Sequence, residues 1–180
     1  MVTADTKQTY LEKIAARNSS APKDCSLSYA EMEKLAESLS DGTVFGIISE
    51  LKEIQEIKLS NLSNERNTIV KSFQEKKEEL ETSQGQDYEE MMADENFRPS
   101  DEERLLKKFK SESTVLEAQE KEALQQFDLG VLEQLDKQVE DQQKYLDIAG
   151  IPGMRETTDR LTIKKQMFML SVIESLPQPE

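Results

Sequence analysis

The chain of 180 residues has no histidine and a single cysteine, Cys25. Without histidine it lacks the commonest general base and the commonest metal ligand. Cys25 has no mate for an internal disulfide, and nothing in its polar setting, Asp24-Cys25-Ser26, would stabilise a thiolate. No phosphate-cradling glycine loop, zinc-ligand spacing or EF-hand pattern is present. Two carboxylates can in principle carry acid–base chemistry, but one of them must be tuned by a walled cleft. The expectation is a protein with no catalytic residues, no cofactor and no metal site, and not an enzyme.

Long apolar runs are missing too. No stretch approaches the ~20 residues that a membrane-spanning helix needs, and the opening Met1 to Lys7 lacks the apolar core of a signal peptide. No membrane insertion is expected, and the setting expected is cytoplasmic or nuclear. Positive charge is in deficit: 23 Lys and Arg stand against 37 Asp and Glu, a net charge of −14. Nucleic-acid binders need the opposite, a basic stripe that displaces counterions. The longest basic cluster, Lys107-Lys108-Phe109-Lys110, sits in a helical pattern with Glu102, Glu103 and Glu112 beside it, and reads as a solvated helix face.

What the chain does contain is Leu, Ile, Glu, Lys and Gln at helical spacings. A hydrophobic fraction of 36% with 33% charged residues suits long helices that bury a stripe. The same balance is a signature of disorder, but the regular apolar spacing argues against that. A short helix is expected from about Ala4 to Arg17, then a loop through Pro22. Ser28 and Glu31 fit a capping box, opening a helix with Met32, Leu35 and Leu39 that breaks at Asp41-Gly42.

From Val44 to about Gln84 the apolar residues Ile47, Leu51, Ile54, Leu62, Ile69, Phe73 and Leu80 recur mostly at three, four, seven and eight. Lys58, Arg66 and Lys77 fall near the gaps. Such a helix of about 41 residues extends roughly 60 Å at 1.5 Å per residue. A second long helix is expected from about Asp101 to Ile148, with Ser100 and Glu103 as its capping box. Its stripe is Leu105, Phe109, Leu116, Ala123, Phe127, Val131, Leu135, Val139, Gln142 and Leu146. Gly150 and Pro152 end it. A last helix, about Asp159 to Leu176, is apolar nearly all round at its centre.

Between the long helices, residues 85 to 100 interrupt the pattern. From Gly85 to Glu103 there are eight acids and one base, half of the chain's net charge. The segment reads as a solvated acidic tip, or as an acidic docking segment anchored by Tyr88, Met91, Met92 and Phe97. Folding back at this tip predicts an all-α architecture: two long antiparallel helices in a coiled-coil hairpin, with the short N- and C-terminal helices packed at its base. Residues 1–26 are expected to form an N-terminal helix and loop, and 27–180 a single helical domain.

Two stretches carry more than composition. One is Leu27-Ser28-Tyr29 continuing to Leu39-Ser40-Asp41-Gly42-Thr43-Val44-Phe45 and Leu51-Lys52-Glu53-Ile54-Gln55. The other is Leu132 to Gln143, with Asp-x-x-Val-x-Asp-Gln-Gln at its end, followed by Ala149-Gly150-Ile151-Pro152-Gly153 and Thr157-Thr158. They resemble the family that pairs the insect gonadal protein with the sixth-numbered DiGeorge syndrome critical region protein of vertebrates. The resemblance spans residues 27 to 176 and is weakest between Asn64 and Val115. Met154 departs from it, where the family pattern leads one to expect an aromatic. The resemblance implies no established catalytic activity and a link to gonadal development and neural-crest migration.

The function expected is that of a coiled-coil adaptor or scaffold for other helical proteins; the alternative is a homo-oligomeric spacer or tether built from copies of itself. Three sets of residues are candidates. Met167, Phe168, Leu170, Val172 and Ile173 cannot all face one side of a helix, so part of them can meet a partner. The stripe Met167, Leu170 and Ile173, with Leu161 and Leu176, is expected to pack on the base. Val44, Phe45, Val139 and Leu146 form either core or a composite partner surface. Tyr88, Met91, Met92 and Phe97 are the acidic-segment anchors.

Overall fold

The computed structural model describes residues 4–178. They form five helices and no strand: α1 (Ala4–Asn18), α2 (Tyr29–Leu39), α3 (Thr43–Ala93), α4 (Pro99–Ile148) and α5 (Arg160–Glu174). The all-α fold and the long helix pair agree with the sequence pattern. The chain divides into two compact units, one of residues Met1–Ile57 with Leu135–Glu180, the other of Lys58–Gln134.

Local signals set most helix boundaries in the first unit. Ser28 caps α2: its hydroxyl accepts from the Glu31 backbone N–H, while the Glu31 carboxylate accepts from the Ser28 N–H. Gly42 turns the chain at φ 81°, where a side chain would clash with its own backbone, and the Asp41 carboxylate accepts from the Thr43 N–H to start α3. α4 ends in a Schellman motif. Gly150 at φ 83° donates to the Asp147 carbonyl, and Ile151 donates to that of Leu146. The apolar contact that accompanies such a motif joins Leu146 and Ile151, both buried.

The core of this unit draws on every helix. It contains Tyr10 and Ile14 of α1, Leu35, Ala36 and Leu39 of α2, and Val44, Phe45 and Ile48 of α3. Leu27, Leu146, Ile151, Met154, Met169, Val172, Ile173 and Leu176 complete it. The Tyr10 ring lies 6.0 Å from that of Phe45, and its hydroxyl donates to the Pro177 carbonyl at 2.9 Å. α1 is thus part of the same core, in which Tyr10 and Ile14 are buried. Met154, where the resemblance suggested an aromatic, is 1% exposed and fills that place with a flexible side chain.

Across the same unit, Lys165 of α5 donates to the Glu31 carboxylate at 2.7 Å. Burial pushes the Glu31 carboxyl up, but Lys165 and the hydrogen bonds from Ser28 outweigh it and hold the group below its ordinary value. A carboxyl depressed in the folded state stabilises above its unfolded pKa, and that contribution disappears as pH falls through the folded value. Glu31→Gln keeps a capping-box side chain and removes the charge. It should lower the unfolding midpoint by about 2–4 °C at pH 7, equivalent to about 1 kcal/mol. The difference should vanish in melts below pH 3; a gap that persists in acid means the loss is of packing, not charge.

The second unit is a two-helix antiparallel pair. Leu62 and Phe73 are buried, while Ile69, Leu80, Leu105, Phe109, Leu116, Ala123, Phe127 and Val131 are half-buried, as befits a seam that only two helices cover. The three bases in the gaps of the α3 stripe all reach across to α4. Lys58 donates to the Gln134 carbonyl at 2.9 Å, Arg66 to Asp128 at 2.9 Å and Lys77 to Glu120 at 2.6 Å. At the surface each is screened and individually weak, but together they fix the register.

The acidic tip is much shorter than expected. α3 continues through Gly85 to Ala93 and α4 begins at Pro99, so the connection is residues 94–98. Gly85 costs a helix only about 1 kcal/mol against alanine. Gln84, Asp87 and Tyr88 repay that by bonding Glu112, Lys108 and Glu102 of α4. Pro99 takes the first helical position, where its missing N–H is no loss. Ser100 accordingly lies inside the first turn and not at the cap.

Candidate interaction surfaces

On α5 the buried row is Gln166, Met169, Val172, Ile173 and, just beyond the helix, Leu176. The expected stripe is displaced: Met167 is 65% exposed and Leu161 is also exposed. Val172 and Ile173 are covered by this chain's own core, so they offer no surface to a partner. Phe168 and Leu170 are half-buried against that core. Met167, with the outer edges of Phe168 and Leu170, is what remains of the candidate set on the outside.

The reason for the displacement is polar. Gln143 of α4 donates to the Gln166 side-chain oxygen at 2.9 Å, and Gln166 donates to the carbonyls of Gly153 and Arg155, each at 2.9 Å. The Thr157 N–H donates to Gln143 in return. Both glutamines are buried and satisfied, so they anchor α5 and the 153–157 loop to α4. Hydropathy counting overlooks such residues because it scores glutamine as a surface residue. The two sequence blocks also meet here, since Gln142 donates to Gln55 at 3.2 Å.

Of the base residues, Val44, Phe45 and Leu146 are buried and Val139 is 47% exposed. Successive steps of four residues each advance about 40° around a helix. Phe127, Val131, Leu135 and Val139 therefore drift out of the seam. Gln138, three residues after Leu135, occupies the place that Val139 was expected to fill. Its side-chain nitrogen and oxygen are buried and find no hydrogen-bond partner.

A further apolar face lies on α3 and α4 of the first unit. On a helix, residues two apart point about 200° from one another. Lys52 pairs with Glu174 of α5 at 3.0 Å, so Ile54 looks away from α5. Gln143 bonds Gln166 of α5, so Tyr145 also looks away from it. Ile57 and Ile148 follow three residues on, along the same rows. These four side chains are 56%, 54%, 59% and 82% exposed. The Gln55–Gln142 bond shows that the two helices are side by side at this level. α5 thus covers one side of the pair, and the opposite side is apolar and bare. Ile54, placed by the sequence pattern in the α3 stripe, thus lies off the seam and is exposed; the i, i+3 pairs Ile54/Ile57 and Tyr145/Ile148 are the sequence signal of this face.

In the second unit, Tyr88, Met91 and Phe97 are half-buried and Met92 is exposed. Tyr88 donates to Glu102 at 3.0 Å, and that hydrogen bond raises its hydroxyl above the usual pKa. Met91 lines an open groove with Asp87, Glu90, Asp101, Arg104, Leu105 and Lys108. Among the described residues no group of three or more His, Cys, Asp or Glu is placed to hold a metal ion. None of the described helices is long and apolar enough to cross a membrane.

Comparison with known proteins gives two matches. The family described as DiGeorge syndrome critical region 6 (DGCR6) protein matches residues 7–180. Over 161 residues the chain is 32% identical to Protein DGCR6 of Gallus gallus, covering 88% of this chain and 78% of that relative. No solved structure matches.

Proposed function

From a chain that belongs to the DiGeorge syndrome critical region 6 protein family, we propose a non-enzymatic adaptor that docks other helical proteins on the bare α3/α4 face of its first unit. One observation carries this reading: Ile54, Ile57, Tyr145 and Ile148 are exposed on one side of a helix pair whose other side is covered by α5. Contiguous apolar surface on one helical face is what partner helices recognise, through anchors spaced three and four residues apart. A tyrosine among aliphatic residues suits an interface, since its ring gives area and its hydroxyl stays hydrated. The cytoplasmic or nuclear setting and the developmental roles implied by the family resemblance belong to the same proposal.

The test compares affinity capture by the wild-type chain and by Ile54→Ser/Tyr145→Ser, with light scattering on both. An adaptor predicts a monomer over a wide concentration range and a set of helical partners lost with the double variant. Identical partner sets from the two chains would sink the docking face. A stable oligomer in the wild type that the variant abolishes would favour the homo-oligomeric tether instead.

A further inference from the structure

The charges around the bare face select among helical partners. Glu50 and Glu53 lie one turn before Ile54 and Ile57 on α3, and Asp141 lies one turn before Tyr145 on α4. Residues four apart share a helix face, so these carboxylates border the apolar rows directly. Glu50 and Glu53 are exposed and form no ion pair among the described residues. Lys144 stands 3.8 Å from Asp141, but it is shared with Glu156 at 3.5 Å. Lys137 lies two turns before Tyr145 on the same helix. On α3 the base nearest these rows is Lys58, which donates to the Gln134 carbonyl, so Glu50, Glu53 and Asp141 leave the border predominantly acidic.

Resting on the adaptor reading above, we infer that the occupant of this face is an amphipathic helix with basic flanks, its apolar side on Ile54, Ile57, Tyr145 and Ile148 and its Lys or Arg residues against Glu50, Glu53 and Asp141. A second copy of this chain fits poorly. A two-fold contact places the same patch on both sides, so it would set these carboxylates against one another in a chain already at net charge −14. Unpaired rim charges of one sign attract the opposite sign, speed encounter and reject like-charged competitors.

The probe is a designed 18-residue helix with a leucine face, made with lysine, glutamine or glutamate flanks. Its binding to the full-length chain is read by titration and by hydrogen exchange. The lysine-flanked peptide is expected to protect residues 50–57 and 141–148 and to bind at least tenfold more tightly than the glutamate-flanked one. Glu50→Gln/Glu53→Gln should erase most of that preference, and Ile54→Ser/Tyr145→Ser should weaken all three peptides about tenfold or more. Equal binding of the three peptides at this face would overturn the charge selection while leaving the face a docking site. Protection at residues 87–108 instead would show that the acidic end of the second unit attracts basic helices, and would overturn the inference. So would failure of all three peptides to bind, or protection of 50–57 and 141–148 that rises with protein concentration alone.

Discussion

Ile173→Ala is expected to destabilise the first unit by about 2–5 kcal/mol, a drop of roughly 5–15 °C in midpoint for a chain of this length. Ile173 is fully buried in α5, in a core that α1, α2, α3 and α4 also build. Truncation removes the side chain's transfer energy and leaves a cavity that five converging elements cannot all move to fill. Thermal melts give the size of the loss, and hydrogen exchange gives its place. Protection should fall in α1, α2 and α5, with residues 58–134 much less affected. Met167→Ala, six residues earlier and mostly solvated, should stay within about 0.5 kcal/mol of wild type. A loss under about 1 kcal/mol for Ile173→Ala would mean that this core is loose.

Gln138→Leu should do the reverse and stabilise the chain by about 1–3 kcal/mol. A buried amide with no partner bears its full desolvation penalty, and Gln138 has both side-chain polar atoms in that condition. Leucine is close to it in size and suits the seam between Leu135 and Gln142. Denaturant unfolding would measure the gain. A loss of 1 kcal/mol or more would show that the amide is satisfied in solution. Polar residues in helical seams also restrict the number and register of associating helices. The variant's mass by light scattering should therefore be checked, because a stabilised chain that has begun to self-associate would reveal what Gln138 guards against.

These two residues also show where sequence reading works and fails. The α4 stripe from Leu105 to Leu135 was legible because apolar residues at three and four mark one helix face whatever they pack against. It failed at Val139, where steps of four had already carried the row off the seam and a glutamine took the buried place. On α5 the apolar residues run nearly all round, so hydropathy could not choose a side. The choice was made by Gln166, whose bonds to Gln143 and to two loop carbonyls set the helix's rotation. The acidic tip was misjudged because composition reports local preference. Helix through 85–93 is supported by contacts to α4 that lie 14 to 28 residues away in sequence, at Glu102, Lys108 and Glu112.

The sequence by itself determined the all-α class, the two long helices, the caps at Ser28 and Gly150, and the family. These follow from periodicity, capping chemistry and short blocks of residues, all of which act within a few turns of chain. Only the tertiary structure decided which residues of α1 are buried, which side of α5 is buried, and that Ile54, Ile57, Tyr145 and Ile148 are left bare. Those outcomes depend on which helix covers which face, and burial is a property of the neighbours an element acquires, not of its own residues.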